Sequence, residues 1–122
     1  MIKTGGWKRY VVELGMGIDQ HGQDPTRAAE RAVKDAISRV CLVGLEEIFG
    51  DSELRVEVLI GVPHHEWVEL ARVEEAIPFN CEKSVKVVEG GLSGKGIKLE
   101  EFGDKTDEII VAVACITIYV KV

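Results

Sequence analysis

Two short segments of this sequence hold all three of its histidines, and each follows an apolar stretch. The first is Asp19-Gln20-His21, and the second is His64-His65-Glu66. Carboxylate and imidazole groups one residue apart in an extended loop can point the same way. Asp19, His21 and one of His64 or His65 would then supply three ligands and leave a fourth position open, which is the arrangement of catalytic zinc sites. Manganese and iron accept the same ligand types.

The same residues have ordinary structural roles that compete with metal binding. Asp19 is suited to capping a turn, and His21 to a hydrogen bond with a backbone carbonyl. The adjacent histidines would then form an exposed loop. Where a metal is bound, His65 or Glu66 is placed to act as the general base. The sequence therefore predicts a Zn or Mn centre and leaves the structural alternative open.

Glycines around the first segment indicate a second use, which is the binding of a small anion. Gly15, Gly17 and Gly22 would let the backbone approach a ligand, and a helix starting at Asp24 offers free N–H groups and a positive dipole end. The same glycines would also serve a tight strand-to-helix turn. The glycine-rich residues 90–96 lack P-loop spacing and are typical of a hairpin or a mobile flap.

The three cysteines and the basic residues of the first helix are predicted to have structural roles. Cys41 and Cys115 lie among apolar neighbours and are predicted to be buried, and Cys81 has no histidine near it in the sequence. Three cysteines without C-x-x-C spacing indicate reduced thiols in a cytoplasmic protein. The basic face of the first helix is interpreted as a solvated surface; its members are Arg27, Arg31, Lys34 and Arg39.

Apolar periodicity predicts the elements that position these residues. The first strand covers residues 8–14 and is ended by Gly15 and Gly17. Asp24-Pro25 starts a helix, because Asp is a favoured N-cap and Pro suits the first helical position. The other predicted elements are strands over 53–60, 83–89 and 108–122, a short strand at 97–99, and a short helix over 70–77.

This order predicts one α+β domain over residues 1–122: a four-stranded mixed sheet with two helices on one face, in the order β-α-β-α-β-β. If the first two strands are parallel, their ends lie at one edge of the sheet and bring the histidine segments together. The last strand is apolar on both sides, and two helices cannot cover both faces of the sheet. The uncovered face predicts a homo-oligomer.

Composition restricts the classes of function. The hydrophobic fraction of 46% and the charged fraction of 30% are those of a soluble globular protein. A net charge of -6 argues against nucleic acids and anionic membrane surfaces as partners. No segment is typical of a signal peptide, and no apolar run approaches the roughly 20 residues of a membrane span.

The stretch from Gly15 to Gly22, GMGIDQHG, resembles a family of conserved hypothetical proteins marked by a G-x-G-x-D-x-H-G motif. No biochemical function is established for that family, and the resemblance extends over nearly the whole chain. The strand followed by D-x-H is also similar to the start of methylerythritol cyclodiphosphate synthase, where this Asp and His bind zinc. That resemblance implies Asp19 and His21 as ligands, a trimer, and a sandwich like that synthase or like chorismate mutase. The chain is shorter and has no matching diphosphate- or cytidine-binding segments, so that activity is not implied.

Three hypotheses of function follow. The first is a metal-assisted hydrolase or lyase of small molecules that uses Asp19, His21 and His64. The second is a non-catalytic oligomeric module that binds a small anion or metabolite at the glycine-rich loop. The third is a structural partner protein that uses the apolar last strand. Metal analysis of the purified protein distinguishes the first hypothesis from the other two. Sedimentation analysis distinguishes a chain that self-associates from one that lacks a different partner protein.

Overall fold

A five-stranded mixed sheet carries the fold in the computed structural model, which describes residues 6–49 and 53–121. The strand order is β1-β5-β2-β3, and β4 also pairs with β5. The strands are β1 (Trp7–Asp19), β2 (Leu54–Gly61), β3 (Glu82–Val88), β4 (Leu92–Lys95) and β5 (Glu108–Lys121). The helices are α1 (Pro25–Ser38) and α2 (Leu70–Glu75), with a π-helical turn at Leu45–Phe49 and 3-10 turns at His65–Trp67 and Glu100–Phe102.

The α+β class is confirmed, but the count of four strands is wrong. The additional strand, β4, forms inside the glycine-rich segment that was expected to be a hairpin or flap. The pairing of β2 with β5 ends at Gly61, which lies opposite Val113. The part of β5 before Val113 therefore has no β2 partner, and β4 pairs with it, beginning with Leu92 opposite Val111. The short strand expected at 97–99 does not form.

The first strand also departs from prediction, because it runs through Gly15 and Gly17 instead of ending there. Helix α1 packs directly on these two glycines. A Cβ at Gly15 would overlap the carbonyl oxygen of Ala32, and a Cβ at Gly17 would overlap that of Ala28. The glycines stay in the strand because only they let a helix lined with alanine approach the sheet so closely.

Helix α1 begins where the sequence predicts. Asp24 is extended at the N-cap, and its Oδ1 accepts the Thr26 N–H at 2.9 Å. Pro25 occupies the first helical position, and the buried stripe continues through Ala36. The local signals were sufficient here because the N-cap side chain and the N–H group from which it accepts lie two residues apart.

Strand directions bring the two histidine segments to one edge of the sheet. Strands β1 and β2 both run antiparallel to β5, which lies between them, so they are parallel to each other. Their C-terminal ends, Asp19 and Gly61, therefore lie at the edge where β5 begins with Glu108. We call this edge of the sheet the histidine edge.

The core lies between the sheet and the two α-helices. Val56, Val58 and Ile60 of β2 pack there with Val33 of α1 and Val73 of α2. The opposite sheet face carries exposed apolar side chains on four strands: Val12, Leu14, Met16, Leu59, Leu92 and Val113. Within the described residues, no helix has the length and apolar character needed to span a membrane.

The cysteines correct another expectation. Cys41 is exposed, and Cys81 and Cys115 are half-buried. Cys41 lies past the end of α1, so the helical stripe that was expected to bury it has already ended. Cys115 lies on the face of β5 that no helix covers. All three thiols are free.

Candidate functional site

Asp19 anchors the first side of the histidine edge. Its side chain is buried, with 2% of the residue surface exposed, at the last position of β1. Oδ2 accepts the backbone N–H of Asp24 at 2.8 Å, which closes the loop between β1 and α1. Oδ1 lies 3.4 Å from Nη1 of Arg31 and 3.7 Å from Nη1 of Arg27. The predicted turn-capping role is therefore present, together with an ion pair to α1.

Asp104 fixes His21 and the loop around it. The Asp104 side chain accepts the backbone N–H groups of Leu99 and Gly22 at 2.8 and 2.9 Å, and Gln23 Nε2 at 3.1 Å. His21 Nδ1 lies 2.8 Å from Asp104 Oδ2. Because an ionised carboxylate only accepts hydrogen bonds, Nδ1 carries the donated proton and Nε2 is the remaining ring nitrogen. The alternative in which His21 bonds a backbone carbonyl is not observed.

The charge of Asp104 is stabilised by these donors. Burial raises the pKa of the Asp104 carboxyl group, but the hydrogen bonds from Leu99, His21, Gly22 and Gln23 outweigh burial and hold the pKa well below its ordinary value. Asp104 therefore carries a negative charge at neutral pH. This charge favours a hydrogen-bond-donating Nδ1 on His21.

A cavity of about 450 Å³ opens beside these groups. We call it the arginine pocket; its lining residues are Ile18, Asp19, Gln20, His21, Arg27, Arg31 and Phe102. Arg27 and Arg31 are one helical turn apart, and their side chains are 49% and 53% exposed. The ring of Phe102 lies 5.1 Å from that of His21. The pocket thus combines two guanidinium groups, one imidazole and an aromatic wall.

The other side of the histidine edge holds a second histidine–carboxylate pair. His64 Nε2 lies 2.9 and 3.1 Å from the two carboxylate oxygens of Glu108, and Ser93 Oγ donates to the same carboxylate. The His64 ring stacks on Trp67 with centroids 4.3 Å apart. Gln23 Nε2 also donates to the Glu108 carbonyl at 3.1 Å, so the two pairs are connected. A cavity of about 500 Å³ lies beside His64 and Glu108.

His65 belongs to a third group, which it forms with Glu66 and Glu89. Its Nδ1 lies 3.2 Å from Glu66 Oε2 and 2.8 Å from Glu89 Oε1. The hydrogen bond from the His65 side chain, with further backbone N–H donors, holds the pKa of Glu89 below its ordinary value. Within the described ranges 6–49 and 53–121, this is the one group of at least three possible ligand residues with donor atoms within 4.8 Å of one another.

The structure therefore separates the residues that were predicted to bind one metal. Asp19 pairs with arginines, His21 with Asp104, and His64 with Glu108. These three residues do not form a group with possible ligand atoms within 4.8 Å of one another, and each has a different side-chain partner. The predicted bases His65 and Glu66 are the two that contribute to the assembled group.

The predicted anion loop also has a different arrangement. Gly15 and Gly17 face α1, so the close approach they permit is to the helix and not to a ligand. Gly22 has a φ of 96° and donates its N–H to Asp104. The start of α1 is occupied, since the Asp24 side chain accepts the Thr26 N–H and lies 3.6 Å from Arg72. An anion at this edge would meet the arginine pocket instead of the helix start.

Sequence reasoning missed several residues that form the site. Asp104 was not among the predicted site residues, and nothing local shows that it bonds a residue more than eighty positions away. Arg27 and Arg31 were interpreted as part of a solvated face. Their i, i+4 spacing could have shown that both lie on one side of α1. Their contacts with Asp19 depend on how α1 packs on β1, which the spacing does not show.

Fold and site together define an α+β protein with a cationic pocket and two histidine–carboxylate pairs at one sheet edge. The chain belongs to the family described as conserved hypothetical protein, Lin0512_fam, whose sequence model matches residues 9–118. No curated protein matches the chain. The similarity to methylerythritol cyclodiphosphate synthase therefore stays a prediction.

One solved structure is similar over almost the full length. It is a crystal structure of an FtsZ-like protein of unknown function from Nostoc punctiforme. The identity is 39%, the TM-score is 0.85, and the match covers 98% of this chain and 100% of the other. The shared architecture supports the fold described above, and the description of that protein names no activity.

Proposed function

We propose that this protein binds a small anionic metabolite, such as a phosphate or carboxylate compound, in the arginine pocket. The observation that carries the proposal is the pair of half-exposed guanidinium groups of Arg27 and Arg31 beside one cavity. A guanidinium has five N–H donors, and the contacts with Asp19 and with the Ile18 carbonyl use only some of them. The remaining donors suit the planar geometry of a carboxylate or phosphate.

The charge balance of the pocket favours an anion. Among the residues that line the pocket, two guanidinium groups lie near one carboxylate, that of Asp19, so the lining carries more positive than negative charge. Asp19 holds both arginines from the buried side, which reduces the side-chain entropy lost when a ligand binds. Phe102 adds an apolar wall, which suits a ligand with a nonpolar part next to its anionic group.

Titration calorimetry with inorganic phosphate and a panel of small mono- and dicarboxylates tests this proposal. The informative variant is Arg27→Gln, because Arg27 has one long contact with Asp19 and is half exposed. Loss of a charge-assisted hydrogen bond of about 2 kcal/mol weakens binding at least about tenfold. Lys34→Gln, an exposed position of α1 outside the pocket, removes the same charge and serves as control.

The expected result is anion binding by the wild type and by Lys34→Gln, with clear weakening in Arg27→Gln. Equal weakening in both variants would reveal a nonspecific effect of charge and contradict the assignment of the pocket. Failure of the wild type to bind any anion of the panel would also reject it.

We propose divalent metal binding by His65, Glu66 and Glu89 as a second candidate function. Its support is the closeness of the three ligand atoms, and one imidazole with two carboxylates suits Zn or Mn. Calorimetry with each metal alone tests it, using His65→Ala as the variant and His21→Ala as the control. Binding that is lost only in His65→Ala supports this group. Loss in His21→Ala instead would support the set predicted from the sequence.

Neither candidate function includes a reaction. The family is described as conserved hypothetical, and the similar solved structure is described as a protein of unknown function. A hydrolase or lyase would need a substrate held next to a metal or a base. Anion binding and metal binding are both requirements of the hydrolase or lyase hypothesis.

A further inference from the structure

One face of the sheet lacks a covering layer and is apolar over several strands. Both α-helices pack on the opposite face, with the buried core between them and the sheet. The exposed apolar side chains form what we call the open-face patch: Val12, Leu14 and Met16 of β1, Leu59 of β2, Leu92 of β4 and Val113 of β5. Each exposes at least 43% of its surface. Exposure of this kind is unusual when it is contiguous.

Strand register shows that the patch is contiguous. Met16 lies opposite Val113 across the β1–β5 pair, and Leu14 lies opposite Cys115. Leu59 lies opposite the same Cys115 from the β2 side, and Leu92 lies opposite Val111. Directly opposed side chains on one face of a sheet are about 5 Å apart. The patch therefore spans three neighbouring strands and β4 without interruption.

We propose that the open-face patch is the interface between two copies of this chain, which pack sheet against sheet. A second copy supplies a partner of equal apolarity and equal twist, and a two-fold interface uses the same patch on both molecules. The six patch residues are uncharged, and beside Leu59 the same face carries Glu57 and Lys86, which have opposite signs. Charges of opposite sign on this face oppose its packing against a second copy less than the net charge of -6 of the whole chain would suggest.

The size of the face agrees with this occupant. The whole open face, which includes β3 beside the patch, follows the path β1-β5-β2-β3 and is four strands wide, and β2 is 8 residues long. With strands ~4.8 Å apart and a rise of ~3.3 Å per residue, the face projects to roughly 500 Å². Side-chain relief makes the accessible area larger than the projection. Stable interfaces bury about 800 Å² per partner, so one sheet face is of the right order.

The glutamate substitution Leu14→Glu tests the proposal by placing a negative charge on both copies at the patch. Sedimentation equilibrium is expected to give a dimer for the wild type at about 100 µM and a monomer for Leu14→Glu, with a dissociation constant raised at least about 100-fold. Ile97→Glu is the matched control, because Ile97 is 72% exposed but lies outside the sheet. This variant is expected to remain dimeric.

Thiol labelling of the unaltered chain gives a second measurement that needs no variant to fold. Cys115 lies inside the patch, whereas Cys41 is exposed elsewhere. The labelling rate of Cys115 relative to Cys41 is expected to fall at least about tenfold between roughly 1 µM and 200 µM protein, because dimerisation covers Cys115. A wild-type chain that stays monomeric at 200 µM, roughly the top of that range, overturns the proposal. An assembly that persists in Leu14→Glu, or that leaves the labelling ratio unchanged, also overturns it.

Discussion

Asp104 shows how much of the histidine edge depends on one side chain. Its carboxylate accepts four hydrogen bonds, from Leu99, Gly22, Gln23 and His21. It ties the segment before β5 to the loop after β1 and sets which ring nitrogen of His21 carries a proton. Gln23 has a φ of 49°, in the left-handed region, and its side chain reaches both Asp104 and the Glu108 carbonyl. Asp104, which belongs to no sequence motif, therefore organises the loop between β1 and α1.

The lowered pKa of Asp104 predicts how stability depends on pH. Since the folded-state pKa lies below the unfolded value of about 3.9, the stabilisation is present above that value and is lost as pH falls towards the folded-state pKa. Asp104→Asn is expected to lower the melting temperature at pH 7 by several degrees and to flatten the acid limb below about pH 4. Thermal melts over this pH range measure both effects.

Asp107→Asn is the control for that series, since Asp107 lies in the same segment on the rim of the other cavity. It is expected to follow the wild-type acid limb. An Asp104→Asn variant with an unchanged slope would show that the carboxylate does not stabilise the fold through its charge.

Gly17 makes a residue-level prediction about packing. A Cβ at this position would overlap the backbone of α1 at Ala28 and Ala32, and backbone cannot move aside as a flexible side chain can. Gly17→Ala is expected to lower the free energy of unfolding by about 3 kcal/mol or more. Urea denaturation followed by circular dichroism measures it.

Gly94→Ala gives the matched comparison, because a Cβ there would lie 3.5 Å from the Cβ of Ile109, an ordinary contact. A change below about 1 kcal/mol is expected for it. Similar losses in the two variants would mean that glycine flexibility, and not the close approach of α1, explains the effect at Gly17.

At the scale of elements, α1 protects the exposed edge of β1 as well as covering its buried face. Asp35 accepts the Met16 N–H at 2.8 Å, Arg39 donates to the Leu14 carbonyl, and Arg31 donates to the Ile18 carbonyl at 2.6 Å. Unpaired strand edges are sites where chains aggregate, and charged side chains on the edge prevent it. The basic face that resembled a solvated surface therefore shields the edge of the sheet.

Arg39→Ala is expected to weaken this protection. The hydrogen bond from Arg39, together with that from the Met16 N–H, holds the pKa of Asp35 below its ordinary value. Loss of Arg39 therefore removes one partner of Asp35 and the donor to the Leu14 carbonyl. Light scattering during incubation some degrees below the melting temperature is expected to rise at least about twofold faster than for wild type. Lys34→Ala, also exposed on α1, is expected to behave as wild type. Equal rates for the three proteins would rule out edge protection by α1.

At the scale of the whole molecule, β5 connects every functional region. It pairs with β1 on one side and with β2 and β4 on the other, and it presents one face to the helical core and one to the open-face patch. Its first residue, Glu108, reaches His64 and, through Gln23, the loop of His21. One apolar side of β5 faces the buried core, and the other side lies in the open-face patch.

The proposed dimer predicts a melting temperature that depends on protein concentration. Association stabilises the folded state by mass action, so the wild-type melting temperature is expected to rise by a few degrees over a hundredfold increase in concentration. The Leu14→Glu variant is expected to melt at one temperature throughout. Differential scanning calorimetry at several concentrations makes the measurement, and a wild-type value that does not vary would contradict self-association.

The sequence alone determined the features that depend on neighbours along the chain. Asp24 and Pro25 set the start of α1, and alternation along β2 identified its buried face, because capping and strand periodicity act within a few residues. The doubly apolar last strand indicated an apolar sheet face that the helices do not cover, and the structure has such a face. The resemblance at residues 15–22 pointed to a family of conserved hypothetical proteins, and the family model that matches the chain carries that description.

Only the tertiary structure decided which of these residues meet. Strand β4 forms because β5 continues past β2, and β1 continues through Gly15 and Gly17 because α1 packs on them. His21 meets Asp104 rather than His64 because the segment before β5 crosses the histidine edge. Such contacts join residues far apart in the sequence, so they follow from register and helix packing, which no local pattern specifies.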